Sequence, residues 1–136
     1  SAGSCMSFNS ITARPESGFV DVVIDGHEDW DEATACITQM VEAAEAHGLN
    51  RILIDFRRAE MRISPSEGRE IGEFFNSFAM TPFDIAVILP GDSREAAPAR
   101  AFCEAITERG HRATPLADRQ ARDIWVEGGS RRTGAA

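Results

Sequence analysis

The sequence predicts an α/β fold: a single-domain mixed β-sheet covered by helices, in the order β-β-α-β-α-β-α-β-α. Three observations predict it. The runs Ile52-Leu53-Ile54-Asp55-Phe56 and Asp84-Ile85-Ala86-Val87-Ile88-Leu89 are almost unbroken in apolar residues, the pattern of strands buried on both faces. Each is followed by a stretch whose apolar residues recur at three- and four-residue steps, the pattern of a helix with one inward stripe. Strand and helix then alternate after an opening hairpin, which implies mostly parallel strands joined by right-handed crossovers.

Taken in order, Met6 to Ala13 reads as a weak strand, with Met6 and Phe8 on one face. Pro15-Glu16-Ser17-Gly18 is a turn, and Phe19 to Ile24 a stronger strand that Asp25-Gly26 ends. Asp29 caps the first helix, whose stripe is Ala33, Cys36, Ile37, Met40, Val41 and Ala44, with a stop at Gly48. Trp30 is expected to close over the sheet edge.

The strand at 51–56 leads into a loop carrying Arg57, Arg58 and Arg62. Ser64 caps the next helix, with Pro65 at its first position and Glu67 completing a capping box. That helix runs from about Pro65 to Ala79, with Ile71, Phe74, Phe75 and Phe78 inward. Gly68 and Gly72 are poor helix formers, which fits close packing against the sheet or close approach of another backbone or ligand. After the strand at 84–89, Asp92 caps a helix reaching about Arg109, with Pro98 either near its start or kinking it. His111 to Leu116 is a short strand. Asp118 caps a last short helix with Ala121, Ile124 and Trp125 inward. By this reading residues 1–5 are an expression scar or disordered start, 6–127 the domain, and 128–136 a flexible tail.

Composition narrows the function. The net charge is −8, which disfavours nucleic acid and anionic membrane surfaces as partners. No apolar run approaches the roughly 18 residues of a transmembrane segment. All 14 Lys-plus-Arg residues are arginine, which excludes Schiff-base chemistry and a phosphate loop ending in Lys. Cys5, Cys36 and Cys103 form no metal or disulfide pattern with His27, His47 and His111, which fits a reducing, cytoplasmic setting. Cys36 and Cys103 fall on apolar helix faces and read as buried small hydrophobes.

The candidate site is the Arg57-to-Glu67 segment, at the carboxyl end of a strand and the amino end of a helix, where open α/β sheets place ligands. Arg57, Arg58 and Arg62 suit a carboxylate or phosphate, or else form a solvated loop offset by acids. Ser66 and Ser64 are phosphorylation candidates, against plain first-turn and capping roles. Asp25, Asp55, Asp92 and Asp118 fall at strand ends, as the acids of a receiver fold would, yet two are explained as caps. His27 near Asp55 is a conceivable acid–base pair. No metal or other cofactor is called for.

With these residues in place, the chain resembles the SpoIIAA-like family, related to STAS domains and compared with SEC14-type lipid-binding domains. The resemblance runs from about Phe19 to Val126. It rests on the cap-Trp30-helix unit, the Arg51-Ile-Leu-Ile-Asp55 strand, the Asp84-Ile-Ala-Val strand and the closing Asp118-x-x-Ala121-x-x-x-Trp125. It implies the fold and a phosphorylated Ser at the helix start, usually within Asp-Ser-Ser-Gly; Ser66 is the nearest match, with Pro65 interrupting the pattern. The expected function is a non-enzymatic regulatory module for protein–protein interaction, possible as a homodimer. The alternative is a carrier or sensor of a small amphipathic or anionic, lipid-like ligand in a pocket between helix and sheet. An enzyme ranks third, for lack of a nucleophile–base pair.

Overall fold

The computed structural model describes residues 9–135, and the side chains of residues 9–129. Two strands, β1 (Ser10–Arg14) and β2 (Phe19–Glu28), open the fold; α1 (Trp30–Ala46), β3 (Arg51–Met61), α2 (Pro65–Phe78), β4 (Asp84–Ile88), α3 (Ser93–Thr107), β5 (Arg112–Leu116) and α4 (Arg119–Ala135) follow. This is the predicted element order. Met6 and Phe8 lie outside the described residues.

The five strands form one sheet in the order β1-β2-β3-β4-β5. β1 pairs antiparallel with β2, and the later pairs are all parallel. Because each parallel strand is added on the same side of the last, crossovers of one hand put α1, α2 and α3 on one face. There Val20, Val22, Ile24, Ile52, Ile54, Ile85 and Val87 meet the predicted stripe of α1, with Ile71 and Phe75 of α2 and Phe102 of α3. On the other face Leu53, Ala86, Ile88 and Leu116 pack with Phe19 and with Trp125 of α4. β3 and β4 are buried from both sides, which is why they read as unbroken apolar runs.

The central correction lies at the end of β2 and β3. Asp25-Gly26 does not end β2, and Arg57 and Arg58 are not in a loop. Both strands run on, as a parallel pair, past the level where β4 and β5 stop. Val23 pairs with Asp55 but Asp25 with Arg58, so two residues of β2 oppose three of β3: a bulge. Gly26 takes φ 104, a conformation glycine adopts without strain, and so carries the strand through where it was expected to stop it.

The bulge also exchanges faces. Before it, Ile52, Ile54 and Phe56 of β3 point to the helices; after it, Ala59 and partly buried Met61 do. Glu28, level with Met61 and two alternations beyond Ile24, faces inward by the unbroken alternation of β2, and the bulge in β3 brings Ala59 and Met61 to the same side.

The two glycines of α2 face α3, not the sheet. A Cβ at Gly68 would overlap the Pro98 carbonyl oxygen, and one at Gly72 would stand 2.9 Å from the Phe102 carbonyl oxygen. Pro98 is buried inside α3. Gly68→Ala is therefore expected to lower stability by about 1–3 kcal/mol in urea unfolding, although Ala is the better helix former by about 1 kcal/mol. A stabilised variant would contradict the close contact.

Helix α4 is longer than expected. The glycines read as the start of a tail lie within it, and at Gly129 the Arg51 side chain lies against the helix where any Cβ would overlap the guanidinium. Arg51 and Asp84 are both buried. Arg51 donates to an Asp84 carboxylate oxygen at 3.2 Å and to the Trp125 carbonyl at 2.7 Å, and its guanidinium lies 3.6 Å from the Trp125 ring centre. The indole N–H in turn donates to the other Asp84 oxygen at 3.3 Å. Ile124, expected inward, is 58% exposed, since Trp125 takes the inward position. Trp30 does not close over the sheet; it stands exposed at the start of α1. Among the described residues no helix is long and apolar enough to cross a membrane.

Candidate functional site

The three arginines end on the strand pair beyond the bulge and just after it, each beside an acid. Arg57 grips Asp55 with two donors, at 3.0 and 2.8 Å. Burial works to raise the Asp55 carboxyl, but the hydrogen bonds and charge of Arg57, with Arg122 beyond, outweigh it and hold the group below its usual range. Arg58 lies 3.7 Å from Asp25. Arg62 reaches Glu60 at 3.4 Å and the His27 ring at 3.3 Å, and His27 lies 3.0 Å from Glu60 on its other side. His27 is thus placed with Glu60, its cross-strand neighbour, and not with Asp55. The rim is an alternating charged ladder, and exposed pairs of this kind contribute little to stability.

Behind the ladder, α2 begins as predicted. The Ser64 hydroxyl accepts from the Glu67 N–H at 3.1 Å, and the Glu67 carboxylate accepts from the Ser64 N–H at 2.9 Å. Ser66 stands exposed in the first turn, outside the cap. The two serines are therefore separable. Ser64→Ala is expected to cost about 1 kcal/mol, and Ser66→Ala to stay within about 0.5 kcal/mol of the parent in the same urea titration.

The inward face of the bulged ribbon carries the feature that sequence reasoning missed. A slot of about 40 Å³ opens between sheet and helices, lined by Ile24, Cys36, Phe56, Met61, Ile71 and Phe102 among others, and by Glu28. Glu28 is 2% exposed. The one hydrogen bond to its carboxylate among the described residues comes from the Asn9 amide at 3.5 Å. Burial pushes its carboxyl up to about 7; the Asn9 bond works against this, and the charges of Glu32 and Asp29 add to it. Both Glu32 carboxylate oxygens are enclosed, with no hydrogen-bond partner among the described residues. The signal was present in the alternation Val20, Val22, Ile24, Gly26, Glu28, but Gly26 reads as a terminator, so the acid fell outside the strand.

The other candidates resolve into structural roles. Asp92 and Asp118 are caps, accepting from the Arg94 and Ala121 N–H groups at 2.7 and 2.9 Å. No group of three or more acids, histidines or cysteines among the described residues is arranged to hold a metal. Burial pushes the Cys36 and Cys103 thiols up to about 12, Cys36 with help from the Glu28 charge, so both are poor nucleophiles. His111 is buried and accepts the Phe83 N–H at 2.9 Å, and burial lowers its pKa. At the carboxyl ends of β3 and β4, Arg57, Arg119 and Arg122 border an open polar recess of about 460 Å³ that includes the Asp118 cap.

No protein-family profile matches the chain, and no curated protein matches its sequence. Among solved structures it is similar to one described as the anti-sigma factor antagonist SpoIIAA in its unphosphorylated form, at 14% identity and a TM-score of 0.47, over 86% of this chain and 96% of that one. The fold described above rests on strand order and register, not on this likeness.

Proposed function

We propose that this chain is a binding module that acts by holding a small amphipathic molecule in the slot between sheet and helices, as a carrier or sensor. The observation that supports it is the combination of an apolar recess with one deeply buried carboxyl, Glu28, in its lining. A few placed polar groups in an apolar cavity are the usual make-up of a ligand site. The size of the slot argues against the lipid-like end of the expectation. A water needs about 10–15 Å³ by this kind of measure, so a slot of 40 Å³ admits a few non-hydrogen atoms and not an acyl chain.

The test is a methyl NMR titration with short alkyl and aryl compounds, together with the filled variant Ala99→Leu, since Ala99 lines the slot and is 1% exposed. Shifts at Ile24, Ile71 and Met61 that vanish in Ala99→Leu are expected. A panel that moves none of these methyls would overturn the reading.

A second reading, a regulatory protein-interaction module, is favoured by Ser66. It is exposed in the first turn of α2 and free of the cap. Phosphate there would meet the favourable end of the helix dipole. Phosphopeptides covering residues 63–69 with the modification on Ser66 would support it; stoichiometric recovery of only the unmodified peptide from native cells would count against it.

A further inference from the structure

Helices α3 and α4 leave neighbouring strands toward opposite faces of the sheet. α3 follows β4 and packs Ala99, Phe102 and Ile106 into the cluster on one face; α4 follows β5 and packs Trp125 with Leu53 and Ile88 on the other. Their connecting segments therefore diverge. The recess of about 460 Å³ opens there, at the carboxyl ends of the strands, where open α/β sheets hold ligands. It shares no lining residue with the slot, so it stands or falls independently of the slot. In a chain of net charge −8, three arginines from two elements border it: Arg57 of β3, and Arg119 and Arg122 of α4.

The acids around these arginines are already engaged. Arg57 holds Asp55 through two of the five donors of a guanidinium, so three remain. Asp118 also lines the recess, but its carboxylate accepts the Ala121 N–H at 2.9 Å. Arg122 lies 3.7 Å from Asp123, a pair open to water. Arg119 is exposed and makes no ion pair or side-chain hydrogen bond among the described residues.

We propose that this recess binds a phosphate monoester, with the phosphate at Arg119 and Arg122 within reach of the spare donors of Arg57, and the organic part over Ile88 and Leu89. Forked guanidinium donors match phosphate oxygens, and a dianion gains more from converging cations than a monoanion does. The first turn of α4 adds a dipole of the same sign. Inorganic phosphate would fill only part of the recess, whose volume is that of a site for a small organic molecule. A cationic ligand would meet like charge.

The experiment titrates the full chain with glycerol 3-phosphate, inorganic phosphate, glycerate and glycerol at pH 7.5 and constant ionic strength, read by amide and arginine Nε–H NMR. Glycerol 3-phosphate is expected to shift Gly91, Arg119 and Arg122 and to bind more tightly than inorganic phosphate or glycerate, with glycerol silent. Arg119→Gln is expected to weaken it about tenfold, the usual loss for a charge-assisted hydrogen bond, and Arg119→Gln with Arg122→Gln to abolish it. Arg58→Gln removes the same charge from the ladder and is expected to leave binding unchanged. Absence of shifts at the three residues, shifts that survive the double variant, or an equal loss in Arg58→Gln would overturn the site. Inorganic phosphate or glycerate binding as tightly as glycerol 3-phosphate would overturn the monoester. Unchanged β3 and β4 signals in the variants separate lost recognition from lost structure.

Discussion

Glu28→Gln is expected to raise stability by about 3 kcal/mol at pH 8 and to change it little at pH 4. The folded chain holds the Glu28 proton up to about pH 7, whereas the unfolded chain releases it near the ordinary value of 4.5. Between those values rising pH takes a proton from the unfolded chain alone, so stability falls. Above the upper value the penalty is complete, and below the lower one it is absent. At 1.36 kcal/mol per pKa unit, the gap from 4.5 to about 7 corresponds to about 3 kcal/mol. Gln keeps the shape and an acceptor for Asn9 but carries no charge to desolvate. For a chain of this length the gain is on the order of 10 °C in Tm. Thermal melts of both proteins at pH 4, 6 and 8 check it. Parallel curves, with no pH-dependent gap, would mean that Glu28 is not buried as described.

Arg51→Met is expected to lower stability by about 3–5 kcal/mol, the usual cost of leaving the other half of a buried ion pair without its partner. Arg51 is 5% exposed and Asp84 8%, so water does not screen the orphaned carboxylate. The same guanidinium binds the Trp125 carbonyl and lies over its ring, so α4 loses its attachment to the back of the sheet together with the charge pair. Hydrogen exchange should accordingly quicken in residues 119–129 before it does in β3 and β4. Adding Asp84→Leu should restore about half or more of the loss, since an apolar pair of similar volume replaces a charged one at little cost. A loss below about 1 kcal/mol, or fully additive single variants, would show that Arg51 does not organise this contact.

Much of this molecule was legible in one dimension. Apolar runs marked β3 and β4 because both faces of those strands are covered. Three- and four-residue spacing marked α1. The Ser64-Pro65-x-Glu67 signature placed the start of α2 because capping is a contact between residues three apart. Arg57, Arg58 and Arg62 were identified as one segment, and each stands beside an acid on the charged ladder. Their surroundings were not legible. Asp25 beside Arg58 and His27 beside Arg62 come from the neighbouring strand, and which residue faces which depends on a register that a single bulge changes.

What the sequence alone determined is therefore whatever local periodicity and local hydrogen bonding dictate: element type, element order and caps. What only the tertiary structure decided is where each strand stops, which face a side chain takes, and what stands opposite it. Gly26 shows the difference. By itself it reads as an end, but beside the extended β3 the ladder of pairing continues, and glycine's freedom lets the chain follow. That continuation turns Glu28 from a loop acid into a buried one. Pairing across strands is a long-range contact, and a chain read residue by residue carries no record of it.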